Sequence, residues 1–121
     1  MRRLVPVLAS VLLVACGSGG QHLAAQAAAD ATTKAVYADD YDGVTTHFDS
    51  ELKSQVTRAE VGILSDKLHS LGTYSGITYV DGDPLKGEYT YRLGFQHGTM
   101  TAVVRVDSDG SLSAYRLFAQ S

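Results

Sequence analysis

Few side chains in this 121-residue chain are equipped for chemistry. Cys16 is the single thiol. The imidazoles, His22, His47, His69 and His97, lie far apart and in different expected elements. Acidic and aromatic groups crowd one stretch, Asp39-Asp40-Tyr41-Asp42, followed by His47-Phe48-Asp49. A buried Asp or His with a displaced pKa could abstract a proton. The same residues have plainer uses. Aspartates favour turns and helix starts because their side chains bond nearby backbone donors, and Tyr41 and Phe48 suit the packing of a helix on a core. No nucleophile elbow and no glycine-rich phosphate loop is present. Asp107-Ser108-Asp109-Gly110 begins like a calcium loop but lacks the glutamate that closes twelve positions; a hairpin turn is the better reading. The expectation is a chain without catalytic residues, metal or cofactor.

Cys16 has its own setting. Arg2 and Arg3 precede an apolar run from Leu4 to Ala15, which ends Leu13-Val14-Ala15-Cys16. At about twelve residues the run is short of the roughly 20 a spanning helix needs, and Pro6 interrupts it. This segment resembles a bacterial lipoprotein signal peptide with its lipobox. The resemblance implies that residues 1–15 are removed and that the Cys16 thiol carries a diacylglyceryl group. The protein would then be held by lipid on the extracytoplasmic side of the cell membrane or outer membrane. Two or three acyl chains make such an anchor stable, whereas one does not. With Cys16 lipidated, no thiol remains for a disulfide, a nucleophile or a metal. Residues 16–20, Cys-Gly-Ser-Gly-Gly, form a flexible tether. Four or five extended residues reach at most about 17 Å, so the domain should lie close to its membrane.

Residues 21–121 suffice for one domain with one core. Without Arg2 and Arg3, eight basic residues face thirteen acidic ones, a net charge of −5. The cations form no run, which argues against nucleic acid and against adhesion to anionic lipid through a basic patch.

The order of elements follows from periodicity. Gln21 to about Asp39 is rich in alanine, without Pro or Gly, and reads as helix. Leu23, Ala27, Ala31, Ala35 and Ala38 recur at helical spacing as a shallow apolar face. Asp39 to Gly43 breaks that helix, and a short helix over Val44–His47 follows. Asp49 is placed to cap Glu51-Leu52-Lys53. Thr57-Arg58-Ala59-Glu60 fits a capping box. Val61, Leu64, Leu68 and Leu71 then form a buried stripe, and Gly72 ends the helix.

Beyond Gly72 the period becomes two. Strands are expected at Tyr74–Val80, from Glu88 to Gln96, from Met100 to Val106 and at Leu112–Phe118. Tyr89, Tyr91, Leu93 and Phe95 share one face. Thr90 and Arg92 share the other with Thr101, Val103 and Arg105. His97-Gly98 suits a tight turn with Gly98 at positive φ. Helices segregated from an antiparallel meander make an α+β domain. The Arg58–Leu71 helix is expected to cover a curved, cone-like sheet.

Several short motifs resemble the nuclear transport factor two-like, cystatin-like superfamily, and within it an uncharacterised bacterial family. They are Asp40-Tyr41-Asp42-Gly43, His47-Phe48-Asp49, Leu71-Gly72, Tyr91-Arg92-Leu93-Gly94-Phe95, Val103-Val104 and Asp109-Gly110. The resemblance implies a cone-shaped α+β fold and dimers through the open sheet face. It implies no single activity.

Binding is the function left. Tyr89, Tyr91, Phe95 and Tyr115, with Tyr41 and Phe48, either line a pocket or interface or fill the core. Arg92 and Arg105 on the outward sheet face suit an anionic partner, either another envelope protein or an acidic part of a second copy. The expected function is a lipid-anchored binding or accessory domain without catalytic activity. The alternative is small-molecule binding, or lyase or isomerase chemistry, inside the cone. Replacing Cys16 by Ser should shift the protein from the membrane fraction to the soluble fraction. An unchanged membrane pellet would remove the lipid anchor.

Overall fold

The computed structural model describes residues 22–119. Cys16, the signal segment 1–15 and the tether 16–20 lie outside the described residues. Helix α1 covers residues 22–37. It is followed by α2 (Tyr41–Thr45), α3 (Ser50–Gln55) and α4 (Arg58–His69), and then by β1 (Tyr74–Asp83), β2 (Glu88–Phe95), β3 (Gly98–Val106) and β4 (Leu112–Ala119). The four strands form one antiparallel sheet in the order β1-β2-β3-β4. Register shifts at Tyr74/Gly76, Tyr79/Asp81 and Arg105/Val106 bend the strands they interrupt. The result is an α+β fold with helices packed on one face of a curved sheet.

The starts of α2, α3 and α4 each have a local cause. The Asp40 carboxylate accepts from Gly43 N, Asp49 from Leu52 N and the Thr57 hydroxyl from Glu60 N, while Glu60 accepts from Thr57 N in return. The reciprocal pair is the expected capping box. The Asp40 cap moves α2 upstream of the expected Val44–His47, because Gly43 becomes part of its first turn. After α4, Gly72 takes φ +89°, a region where a Cβ is costly. The chain turns there into β1.

The core lies between α1 and the inner sheet face. Tyr89, Tyr91, Leu93 and Phe95 of β2 and Met100, Ala102 and Val104 of β3 are buried, as their alternation requires. The face of α1 against them differs from the expected one. Ala25, Ala29, Thr32, Thr33 and Val36 are buried, whereas Leu23, Ala27, Ala31 and Ala38 are exposed. Alanine occurs all around this helix, so its periodicity does not fix its rotation. The hydroxyl partners described below do.

The sheet's cover also differs. α1 shares that role with α4: it makes hydrogen bonds to the strands, while Val61 and Leu68 of α4 join the same core cluster as the inner sheet residues. Ser65 Oγ donates to Tyr37 O at 3.1 Å. His69 Nε2 lies 2.7 Å from the same carbonyl and so carries the proton. The His69 and Tyr37 rings stack at 4.0 Å. α4 buries Val61, Ser65 and Leu68.

At the β2–β3 connection the turn residues are Gln96 and His97, not His97 and Gly98. Gly98 is absent from the positive-φ residues. Gln96 N donates to Thr73 O at 2.9 Å and His97 N to Leu71 O at 2.8 Å. The segment joining α4 to β1 satisfies this turn, so it does not need the primed geometry of an isolated hairpin.

The rotation of α1 can be tested by size. Ala29→Leu, at a site of zero exposure, should lower unfolding free energy by about 1–3 kcal/mol in urea denaturation. Ala27→Leu, on the exposed side, should change it by less than about 0.5 kcal/mol.

Candidate functional sites on the two sheet faces

The aromatic residues singled out from the sequence turn inward. On the inner face, phenols from three strands reach α1. Tyr91 Oη donates to His22 O at 2.7 Å and Tyr74 Oη to Asp30 Oδ1 at 2.7 Å. Thr33 Oγ1 donates to Ala29 O at 2.8 Å, which leaves it to accept from Tyr115 Oη, 2.7 Å away. Lys34 Nζ lies 3.1 Å from Asp30 Oδ2. Burial pushes all three phenols above the ordinary tyrosine range, and for Tyr74 the bond to Asp30 adds to it. They therefore remain protonated donors.

The six aromatic candidates do not meet in one pocket. Tyr89, Tyr91 and Phe95 fill the core, and Phe95 packs on Tyr74 with centroids 5.3 Å apart. Tyr41 donates to Val56 O at 3.2 Å beneath Arg58, whose guanidinium sits 4.6 Å from the ring centroid. Phe48 and Tyr115, 6.2 Å apart, do line a cavity of about 200 Å³, with Val36, Val61, Leu64 and Glu60. Ligand pockets usually run from roughly 300 Å³ upward. Of its polar lining groups, Tyr115 bonds Thr33 and Glu60 caps α4, and the Gln55 side chain completes the polar part of the wall. His47 is exposed, and Asp49 caps α3. The Asp, Tyr and His types that could have formed a proton-transfer site are thus dispersed. Among the described residues no cluster of His, Cys, Asp and Glu could hold a metal, and no helix is long and apolar enough to cross a membrane.

Among the described residues the outer sheet face is left uncovered, and there the cations gather. The register aligns Arg92 with Thr101 and Phe118, Thr90 with Val103 and Arg116, and Glu88 with Arg105 and Ala114. All three arginines are exposed. Arg105 and Arg116 are diagonal neighbours, and the patch from Arg92 to Arg116 spans about 12 Å from strand spacing and rise. Arg105 Nη2 lies 3.5 Å from Glu88 Oε2. Arg92 and Arg116 have no ion pair among the described residues. The sequence reading found Arg92 and Arg105 but missed Arg116 and Phe118. Alternation along β4, counted from the inward Tyr115, was the signal for both.

A third grouping lies where β3 turns into β4. Asp49 N donates to Leu112 O at 2.8 Å and Leu112 N to His47 O at 2.7 Å, forming a parallel bridge between Phe48 and Leu112. Asp107 sits beside it. Its pKa is raised, first by its hydrogen bond to Asp49 and then by desolvation and by the Asp49 charge. Asp109 is lowered because Ser111 N donates to it at 2.9 Å.

Compared with known proteins, the chain matches no family model, no curated protein and no solved structure.

The carboxylate pair gives a signed pH effect. A folded-state pKa raised above the unfolded value means that Asp107 loses stability as pH climbs through the carboxylate range. Asp107→Asn removes the repulsion and keeps a donor for Asp49. Its melting temperature should exceed that of the parent at pH 7, and the difference should vanish at pH 3. A variant less stable than the parent at pH 7 would contradict the pairing.

Proposed function

We propose that this protein is a lipid-anchored, extracytoplasmic binding or accessory domain, without catalysis of its own, that meets an acidic protein partner on its outer sheet face. One observation carries the reading. In a chain whose charge after loss of the signal segment is −5, three arginines stand on the sheet face that no helix of the described residues covers. Exposed Phe118 and half-buried Val103 and Thr101 lie among them. Arginine and aromatic side chains are enriched in protein interfaces.

The same face bears on the choice of partner. A two-fold contact joins the same patch on both copies. It would bring arginines toward arginines across the axis, with Glu88 as the carboxylate beside them. That favours an acidic partner over a second copy. The small-molecule alternative rests on the 200 Å³ cavity beside Phe48 and Tyr115, which is small and mainly apolar with Gln55 and Glu60 in its lining, and on an open groove of about 460 Å³ beside Tyr89.

The test is photocrosslinking in intact cells from a benzophenone side chain placed at Val103. A discrete adduct should form, should weaken as ionic strength rises, and should be lost when Arg92, Arg105 and Arg116 are changed to Glu. An adduct of twice the chain's mass would replace the partner by a second copy. No adduct, or one indifferent to charge reversal, would overturn the reading.

A further inference from the structure

We infer that the domain rests on the lipid surface by the end that carries the β1–β2 turn, with Leu85 inserted at the boundary of headgroups and acyl chains. This rests on the reading of Cys16 as a lipid anchor and adds the membrane-contacting surface to it.

The observation is Leu85 itself, which is fully exposed at 100%. It is not carried on a loose loop. Lys86 N donates to Asp83 O at 3.1 Å, Gly87 N to Pro84 O at 3.2 Å and Val106 N to Gly87 O at 2.8 Å. Gly87 takes φ +67°, and a Cβ there would stand 2.6 Å from Val106 O. The turn therefore holds Leu85 outward as a fixed apolar tip. Behind it is an open groove of about 460 Å³, bounded by this turn, by the Asp107–Gly110 turn and by Ala24. Ala24 is among the first described residues of α1, so the point at which the chain enters the described part of the domain and the Leu85 tip share one end of it. Leu23, Tyr79 and Val80 add exposed apolar surface there, with His22 stacked on Tyr79 at 4.3 Å.

Covalent geometry connects this end to the membrane. From Cys16 to His22 is six residues, at most roughly 20 Å. The opposite end, with the Gln96–His97 turn, lies about 25 Å further along the strands. The end with the exposed leucine is the end the tether must keep near the lipid. A leucine with a neighbouring tyrosine is suited to the interfacial zone. Asp81, Asp83, Asp107 and Asp109 stand around the turn with Lys86, so the contact is apolar and needs no anionic lipid.

The chain has no tryptophan, so a single indole reports its own position. Leu85→Trp and Lys67→Trp, the latter exposed at the far end of α4, would be made in the full chain. Each would be purified from membranes and reconstituted in phosphatidylcholine vesicles with brominated acyl chains. The indole at 85 should lose emission about twofold or more through lipid contact, while that at 67 should be unchanged. Protein that floats with the vesicles but is unquenched at 85, or quenched equally at both positions, overturns the orientation alone. A blue-shifted but unquenched indole at 85 places Leu85 against protein and overturns it too. Protein that does not float with vesicles removes the anchor, and this inference with it.

Discussion

The fold depends on how closely α1 approaches the sheet. Ala25 and Ala29 on the helix meet an inner face that includes Ala102, and all three are essentially without solvent exposure. Small residues at the contact let the backbones come near. Proximity then allows Tyr74, Tyr91 and Tyr115 to reach α1 with their hydroxyls. Each bond joins a different strand to a different turn of the helix and so fixes both its rotation and its axial position. A buried phenol must find a partner, and a helix slipped by one turn would take Asp30 from Tyr74 and Thr33 from Tyr115. Burial holds these phenols protonated well above neutral pH, so each keeps the proton it donates across the seam.

That seam also decides which surfaces are left for function. With α1 and the aromatic side chains filling the inner face, little room remains between helices and sheet, and the Tyr115 hydroxyl there is held by Thr33. Among the described residues the outer face bears no helix. Its cations belong to strands whose inward residues are the core itself, namely Tyr91 and Leu93 beside Arg92, Val104 beside Arg105, and Tyr115 and Leu117 beside Arg116. The patch is therefore as rigid as the core, and its geometry comes from register rather than from loops.

The strands were legible because period-two alternation is strong in Tyr89–Phe95 and Met100–Val106, and the caps were legible because each is a local hydrogen bond. The rotation of α1 was not. An alanine-rich helix carries no unique apolar stripe, and the determinant is three tyrosines on strands far away in sequence. For the same reason the sequence alone points to α4, with its clear Val61–Leu68 stripe, as the cover of the sheet; that stripe does join the core, but α1 shares the inner face. The β2–β3 turn escapes a local turn rule because its donors are satisfied by Leu71 and Thr73, a tertiary contact that such a rule does not contain. Of the outward face, Arg92 and Arg105 followed directly from alternation. Arg116 follows by the same rule, but only once β4 is oriented by its inward Tyr115.

The two proposed surfaces constrain each other. A positive face near an anionic membrane would tend to lie flat against it and be masked. On the proposed anchoring, the strands rise away from the lipid, and the arginine nearest the membrane is Arg105, in register with Glu88 next to the β1–β2 turn. Glu88 is also the carboxylate that pairs with it. Arg116 and Arg92 come successively further up the strands, Arg92 about 13 Å beyond Glu88, which exceeds the roughly 8–10 Å over which surface potential decays in physiological salt. The aspartates around Leu85 oppose electrostatic collapse at the base while its apolar tip holds the end down. Apolar attachment below and unpaired arginines above are thus compatible only in the upright pose, and in that pose the arginine face is presented sideways to a neighbour in the same membrane layer.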